Sequence, residues 1–167
     1  MQDNSENEAL KKAKAYSLRL LAIRPRSKKE LADRLRQKDF PWQVISGVID
    51  DFTARGFLND LKFSDEWIQA RINNNPKGSF LLKRELRQKG VDQGVIEEAL
   101  EQAKEKYDEE EVALRIARDK KRKFGSLDKE KSKRRIYDFL SRRGFSANTI
   151  YEVVKKLYGS YGEDPLD

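Results

Sequence analysis

Lysine and arginine recur at three- and four-residue spacing in this 167-residue chain, as in Lys83, Arg84 and Arg87, and in Arg135 and Arg142. Residues three and four apart share one side of a helix. There, guanidinium and ammonium groups can meet phosphate oxygens or carboxylates through charge-assisted hydrogen bonds. Chemistry beyond binding finds no obvious material in the rest of the chain. Histidine and cysteine are both absent, which excludes an imidazole base, a thiolate nucleophile, a disulfide and a thiolate metal site. No G-x-x-x-x-G-K-[ST] loop, glycine dinucleotide fingerprint or H-E-x-x-H helix occurs. The acidic run Glu109-Glu110-Glu111 reads as a solvated face rather than a carboxylate site. The expectation is a non-enzyme with no cofactor and no metal.

Composition points the same way. Thirty-six Lys and Arg against 29 Asp and Glu leave a net charge of +7, and the pI is near 9.5. That balance favours an anionic partner such as nucleic acid or a nucleoprotein. The charge is zoned: Lys120 to Arg143 carries 11 basic and 3 acidic residues, Glu97 to Glu111 8 acidic and 2 basic. No stretch approaches the apolar length of a membrane span, and Met1 to Glu8 lacks the apolar core of a signal peptide. A cytosolic protein with no membrane partner is expected.

The elements that must position these cations come from a repeat. Leu35, Leu86 and Leu140 each anchor a similar block, 51 and 54 residues apart. Leu31, Leu82 and Ile136 stand four residues before the anchors, and Ile45, Ile96 and Ile150 ten after. Ile49, Leu100 and Val154 follow four later. Self-similarity at about 50 residues means stacked supersecondary units that cannot cover their apolar faces alone. With charged residues at 39%, four Pro and nine Gly, the units read as amphipathic helices with little loop.

Nine helices are expected, in three modules: residues 9–58, 59–107 and 108–158. Residues 1–8 are expected as a disordered tail and 159–167 as a flexible one. Arg24-Pro25 ends the first helix, since proline disfavours helix in the residue before it. Ser27-Lys28-Lys29-Glu30 has capping-box spacing. Asp39, Gly90 and Gly144 share the slot where a left-handed residue closes the second helix. Phe40 with Ile45, Val91 with Ile96 and Phe145 with Ile150 form hydrophobic staples around Pro41, Asp92 and Ser146. Pro41 either begins its helix or marks a different entry. Trp42, Trp67, Tyr137 and Phe139 read as core or inter-module packing rather than stacking platforms, with Trp67 inside.

Three helices with a tight turn between the second and third make a helix-turn-helix-like unit, which commonly places its last helix in a DNA major groove. The third helices argue against that use. Asp92 to Ala103 carries Asp92, Glu97, Glu98 and Glu101 with no basic residue, and Asp50-Asp51 is acidic too, so phosphates would repel both. The cations lie on the second helices.

Arg55-Gly56-Phe57-Leu58-Asn59-Asp60-Leu61-Lys62-Phe63 with Trp67, then Pro76-Lys77-Gly78 running into Leu82-Lys83-Arg84-Glu85-Leu86-Arg87-Gln88-Lys89-Gly90-Val91, resemble the RecX family of bacterial regulators of the RecA recombinase. Phe139-Leu140-Ser141-Arg142-Arg143-Gly144-Phe145-Ser146 adds to the likeness, which spans about Ala9 to Tyr158. Asp39 in place of glycine and Asn73-Asn74-Asn75 in place of basic residues depart from the family pattern. The resemblance implies an all-α fold of three tandem three-helix repeats in an elongated, curved array. It implies a protein of DNA repair, homologous recombination and the SOS response. Such a protein lies in the groove of the RecA filament on single-stranded DNA and limits filament growth, ATP turnover and strand exchange. The candidate contacts to RecA or DNA are Lys77, Lys83, Arg84, Arg87, Lys89, Arg134, Arg135, Arg142 and Arg143. The alternative is direct DNA binding without RecA. A monomer is expected.

Overall fold

The computed structural model describes residues 2–159, and these form helices joined by short turns with no strand among them. The helices are α1 (Gln2–Ile23), α2 (Lys28–Arg36), α3 (Trp42–Ala54), α4 (Asp60–Asn74), α5 (Ser79–Gln88), α6 (Gln93–Lys106), α7 (Glu109–Arg122), α8 (Lys129–Arg142) and α9 (Ala147–Tyr158).

The helix ends follow local chemistry. Ser27 caps α2 in a complete capping box, its Oγ accepting from the Glu30 amide at 3.1 Å while the Glu30 carboxylate accepts from the Ser27 amide. Three times a left-handed residue closes the second helix of a module: Asp39 (φ 59°), Gly90 (φ 75°) and Gly144 (φ 79°). The next amide then reaches back to the anchor leucine. Phe40 N–H donates to Leu35 O, Val91 N–H to Leu86 O and Phe145 N–H to Leu140 O, at 3.1–3.3 Å. This is the Schellman closure, in which carbonyls left over at a helix end are satisfied by the turn itself. Pro41 takes the cap position of α3 without a side-chain bond.

One expectation is corrected. Gln2–Glu8 continues α1 rather than forming a disordered tail. No proline or glycine interrupts it, and Glu8 pairs with Lys12 one turn on at 2.8 Å. At the other end Gly159, with φ 84°, caps α9; the rest of the expected tail, residues 160–167, lies outside the described residues.

The apolar repeat is the core. Leu31, Leu82 and Ile136 are buried, as are Leu35, Leu86 and Leu140, and Ile45, Ile96 and Ile150. One cluster joins Ala13, Leu31, Leu35, Val44, Ile45, Val48, Phe52 and Leu58. Another joins Ala113, Ala117, Ile136, Leu140, Phe145, Ile150, Val153 and Val154. The chain divides into two compact units. One holds the chain up to Glu66 with Leu86–Ala99, and the other holds Trp67–Glu85 with the chain from Leu100. The division runs through α4, α5 and α6, so every helix of the middle module contributes to both units.

Candidate functional site

The nine candidate cations separate into two kinds. Lys77, Lys89 and Arg143 are committed to internal partners. On α5, Glu85 is turned inward, and its Oε2 accepts from Trp67 Nε1 at 2.9 Å and Arg71 Nε at 2.8 Å, while its Oε1 accepts from Lys77 Nζ. The Arg71 guanidinium also lies 4.3 Å over the Trp67 ring. Burial raises the Glu85 carboxyl, but the hydrogen bonds from Arg71, Lys77 and Trp67 outweigh it and hold the group below the ordinary glutamate range.

A second carboxylate does the same in the other unit. Glu30 accepts from Lys89 Nζ at 2.7 Å and from the Arg24 guanidinium at 3.1 Å through each oxygen. Burial acts to raise its pKa; hydrogen bonds and charge from Arg24 and Lys89 overcome this and lower it to about 2. Arg143 donates through Nη1 to Asn75 Oδ1 and Pro76 O, both at 2.9 Å, and its guanidinium lies 4.9 Å over the Phe139 ring. A positive charge held this way is spent within the fold, because a partner must first displace the existing bonds.

The remaining candidates face outward. Lys83, Arg84, Arg134 and Arg142 make no hydrogen bond or ion pair with the described residues, and Arg84, Arg134 and Arg142 are exposed. Arg87 is exposed and donates to Gln93 at 2.9 Å. Arg135 is exposed with its guanidinium 5.8 Å over the Phe124 ring. Because Glu85 is the only acid on α5 and is turned inward, every charged group on the outward side of that helix is a cation.

The aromatic residues depart from expectation. Trp42 is 65% exposed and Tyr137 49% exposed, so neither is core. Trp67 is half-buried, its indole N–H bound to Glu85. The half-buried Phe139 carries both Arg143 and Lys120, the latter 5.5 Å from its centroid. An indole N–H needs an acceptor when buried, and a ring face attracts cations; both pull aromatics toward polar neighbours.

Sequence reasoning missed Phe80, which is 66% exposed on α5. It stands three and four residues before Lys83 and Arg84, and that spacing was the available signal. Lys120 and Lys123 were also missed as site residues. With Asn74, Asn75, Pro76, Phe139 and Arg143 they line a cleft of about 300 Å³. Nothing in sequence order brings Asn74 and Asn75 to α7.

An all-α protein of tandem three-helix repeats, bearing outward cations on its second helices, is the class that this arrangement defines. The three RecX three-helix domains match it in order: the first over residues 13–52, the second over residues 59–100 and the third over residues 108–154. The chain belongs to the RecX family. It is 34% identical to the regulatory protein RecX of Streptomyces lividans over 94% of this chain and 83% of that one. It is 35% identical to that of Corynebacterium efficiens, over 97% and 79%. The crystal structure of RecX from Lactobacillus salivarius superposes with a TM-score of 0.83 at 24% identity, over 90% of this chain and 97% of that one, a likeness of fold. Its homologues are named regulatory proteins, and a regulatory role follows for this chain. No helix among the described residues is long and apolar enough to cross a membrane.

Proposed function

We propose that this chain regulates the RecA recombinase by binding in the groove of the RecA filament on single-stranded DNA, where it limits filament growth, ATP turnover and strand exchange. It acts as a cytoplasmic monomer and catalyses nothing itself. The modules at residues 9–58, 59–107 and 108–158 each present a second helix, and several weak contacts along one filament add through avidity. The observation that carries this reading is the set of exposed cations Arg84, Arg134 and Arg142, with half-buried Lys83, none of them engaged within the fold.

The test is DNA-dependent ATP hydrolysis by the cognate RecA on single-stranded DNA, with this protein titrated from well below one copy per RecA. Hydrolysis should fall at low ratio. The fall should vanish in a variant carrying Arg84→Glu, Arg134→Glu and Arg142→Glu, whose melting temperature should stay near that of the parent, since these side chains hold nothing in the fold. An unchanged rate with the parent protein in excess sinks the proposal.

A second reading, direct binding of single-stranded DNA without RecA, is favoured by one observation: Phe80 stands exposed beside Lys83 and Arg84. An aromatic ring among cations can stack on a base while its neighbours meet phosphates, worth about 1–3 kcal/mol per stacked base. Phe80→Ala then weakens binding to bare DNA by about tenfold or more, and binding to naked DNA is at least as tight as to RecA-coated DNA.

A further inference from the structure

The same joint is built twice within this chain, once inside each compact unit, and each end module carries one half of it unused. In the first joint the Ser27 hydroxyl at the start of α2 donates to Lys89 O at 2.5 Å, and Lys28 N–H donates to Asp60 Oδ1 at 2.9 Å. In the second, Gly78 N–H at the start of α5 donates to Arg143 O at 2.9 Å, and Ser79 N–H donates to Glu109 Oε1 at 2.7 Å. The start of one module's second helix thus receives the turn that closes the next module's second helix. A carboxylate at the opening of the next module's first helix, Asp60 of α4 or Glu109 of α7, satisfies its first amide.

Both joints require that the turn have no side chain. A Cβ on Gly90 would overlap the side chain of Lys29. A Cβ on Gly144 would stand 2.5 Å from Leu81 Cβ and 2.6 Å from Leu81 N, closer than real Cβ atoms come. The first module's turn is the one left over, and its residue in this slot is Asp39, held left-handed at φ 59° with its side chain in place. Aspartate tolerates that conformation at some cost, and glycine adopts it freely.

The receiving half left over is the start of α8, and it too is altered. Helices α2 and α5 open seven residues before Leu35 and Leu86, whereas α8 opens eleven before Leu140, one turn longer. The slot of Ser27 and Gly78 therefore falls on Ser132, inside α8, where it is buried with its hydroxyl bonded to Tyr158. The new helix start caps itself: Asp128 Oδ2 accepts from the Glu130 and Lys131 amides at 3.1 and 3.2 Å. It needs no carboxylate from another module.

We propose that Asp39 and the lengthened, self-capped start of α8 close the first and last modules against a second copy of this chain. A head-to-tail contact repeats without closing and grows into open chains; in tandem arrays the end modules must prevent it. Copies bound side by side on a common polyanion therefore do not link, and they load independently of one another.

Sedimentation velocity of the full chain tests the first consequence, with a single monomeric species expected from low to high micromolar concentration; growing oligomers would overturn the proposal. Trypsin tests the geometry, since Lys89 and Arg143 lie in the joints. Gly90→Asp and Gly144→Asp, which copy the first module's residue into the inner turns, should speed cleavage there by about tenfold through local opening. Asp39→Gly should leave cleavage unchanged. Adding Lys29→Gly to Gly90→Ala keeps the backbone strain but removes every Lys29 atom that the new Cβ would meet, and should restore much of the protection that Gly90→Ala alone loses. Full protection in both aspartate variants, or no recovery with Lys29→Gly, means that a side chain in this slot does not block the joint, and the proposal fails.

Discussion

Two carboxylates withhold Lys77 and Lys89 from any partner, and both titrate below the ordinary glutamate range because of the cations they hold. The folded Glu30 carboxyl titrates near 2 against an ordinary value near 4.5. The folded state therefore prefers the ionised form, and its stabilisation is complete above pH 4.5 and lost as pH falls from there toward 2. Urea unfolding should show Glu30→Gln about 2 kcal/mol less stable than the parent at neutral pH, with the difference shrinking below pH 4.5. Glu85→Gln should cost about 2 kcal/mol at pH 7, because Arg71 and Lys77 are left half-buried without a counter-charge. Local chemistry of this kind was only partly legible. The Ser27–Glu30 box follows from a three-residue spacing, whereas Glu30 and Lys89 are 59 residues apart and meet only once the fold brings them together. A count of cations along the chain treats Arg84, which faces solvent, and Lys77, which does not, as equals.

At the scale of the helix, the apolar repeat did most of the specifying. Every Leu or Ile in the anchor, minus-four and plus-ten slots is buried, since a stripe at those intervals must face a core. Leu35→Ala and Ile136→Ala should each cost about 2–5 kcal/mol, as lost transfer energy plus a cavity, read from denaturant midpoints. Removing the α8 cap with Asp128→Ala should cost about 1 kcal/mol in the same measurement. Helix ends marked by proline, serine or glycine were legible. The beginning of α1 was not: the polar opening Met1 to Glu8 reads as unstructured, yet nothing in it breaks a helix already nucleated downstream. Trp42 misled for the opposite reason. Large aromatics are usually interior, and this one follows the cap Pro41 on the outward side of α3, where periodicity around Ile45 and Val48 gives it no place in the core.

Across the whole molecule, the proposed binding to single-stranded DNA through free cations carries a signature in salt. For single-stranded nucleic acid, each neutralised phosphate contributes about 0.7 to the slope of log affinity against log salt. Replacing Arg84 and Arg142 with alanine should flatten that slope by about 1.4, while Lys77→Ala, which breaks an internal bond, should change stability more than slope. The line dividing the two compact units, which passes through α4, α5 and α6, bears on how such a gene can change. Its sequence looks divisible at the module boundaries, but the middle stretch is not an interchangeable part. Cutting out residues 59–107 by recombination between repeats would strip Leu86–Ala99 from one unit and Trp67–Glu85 from the other. Neither survivor would inherit a complete interior, so loss of a single repeat should leave an insoluble chain instead of a shorter working one.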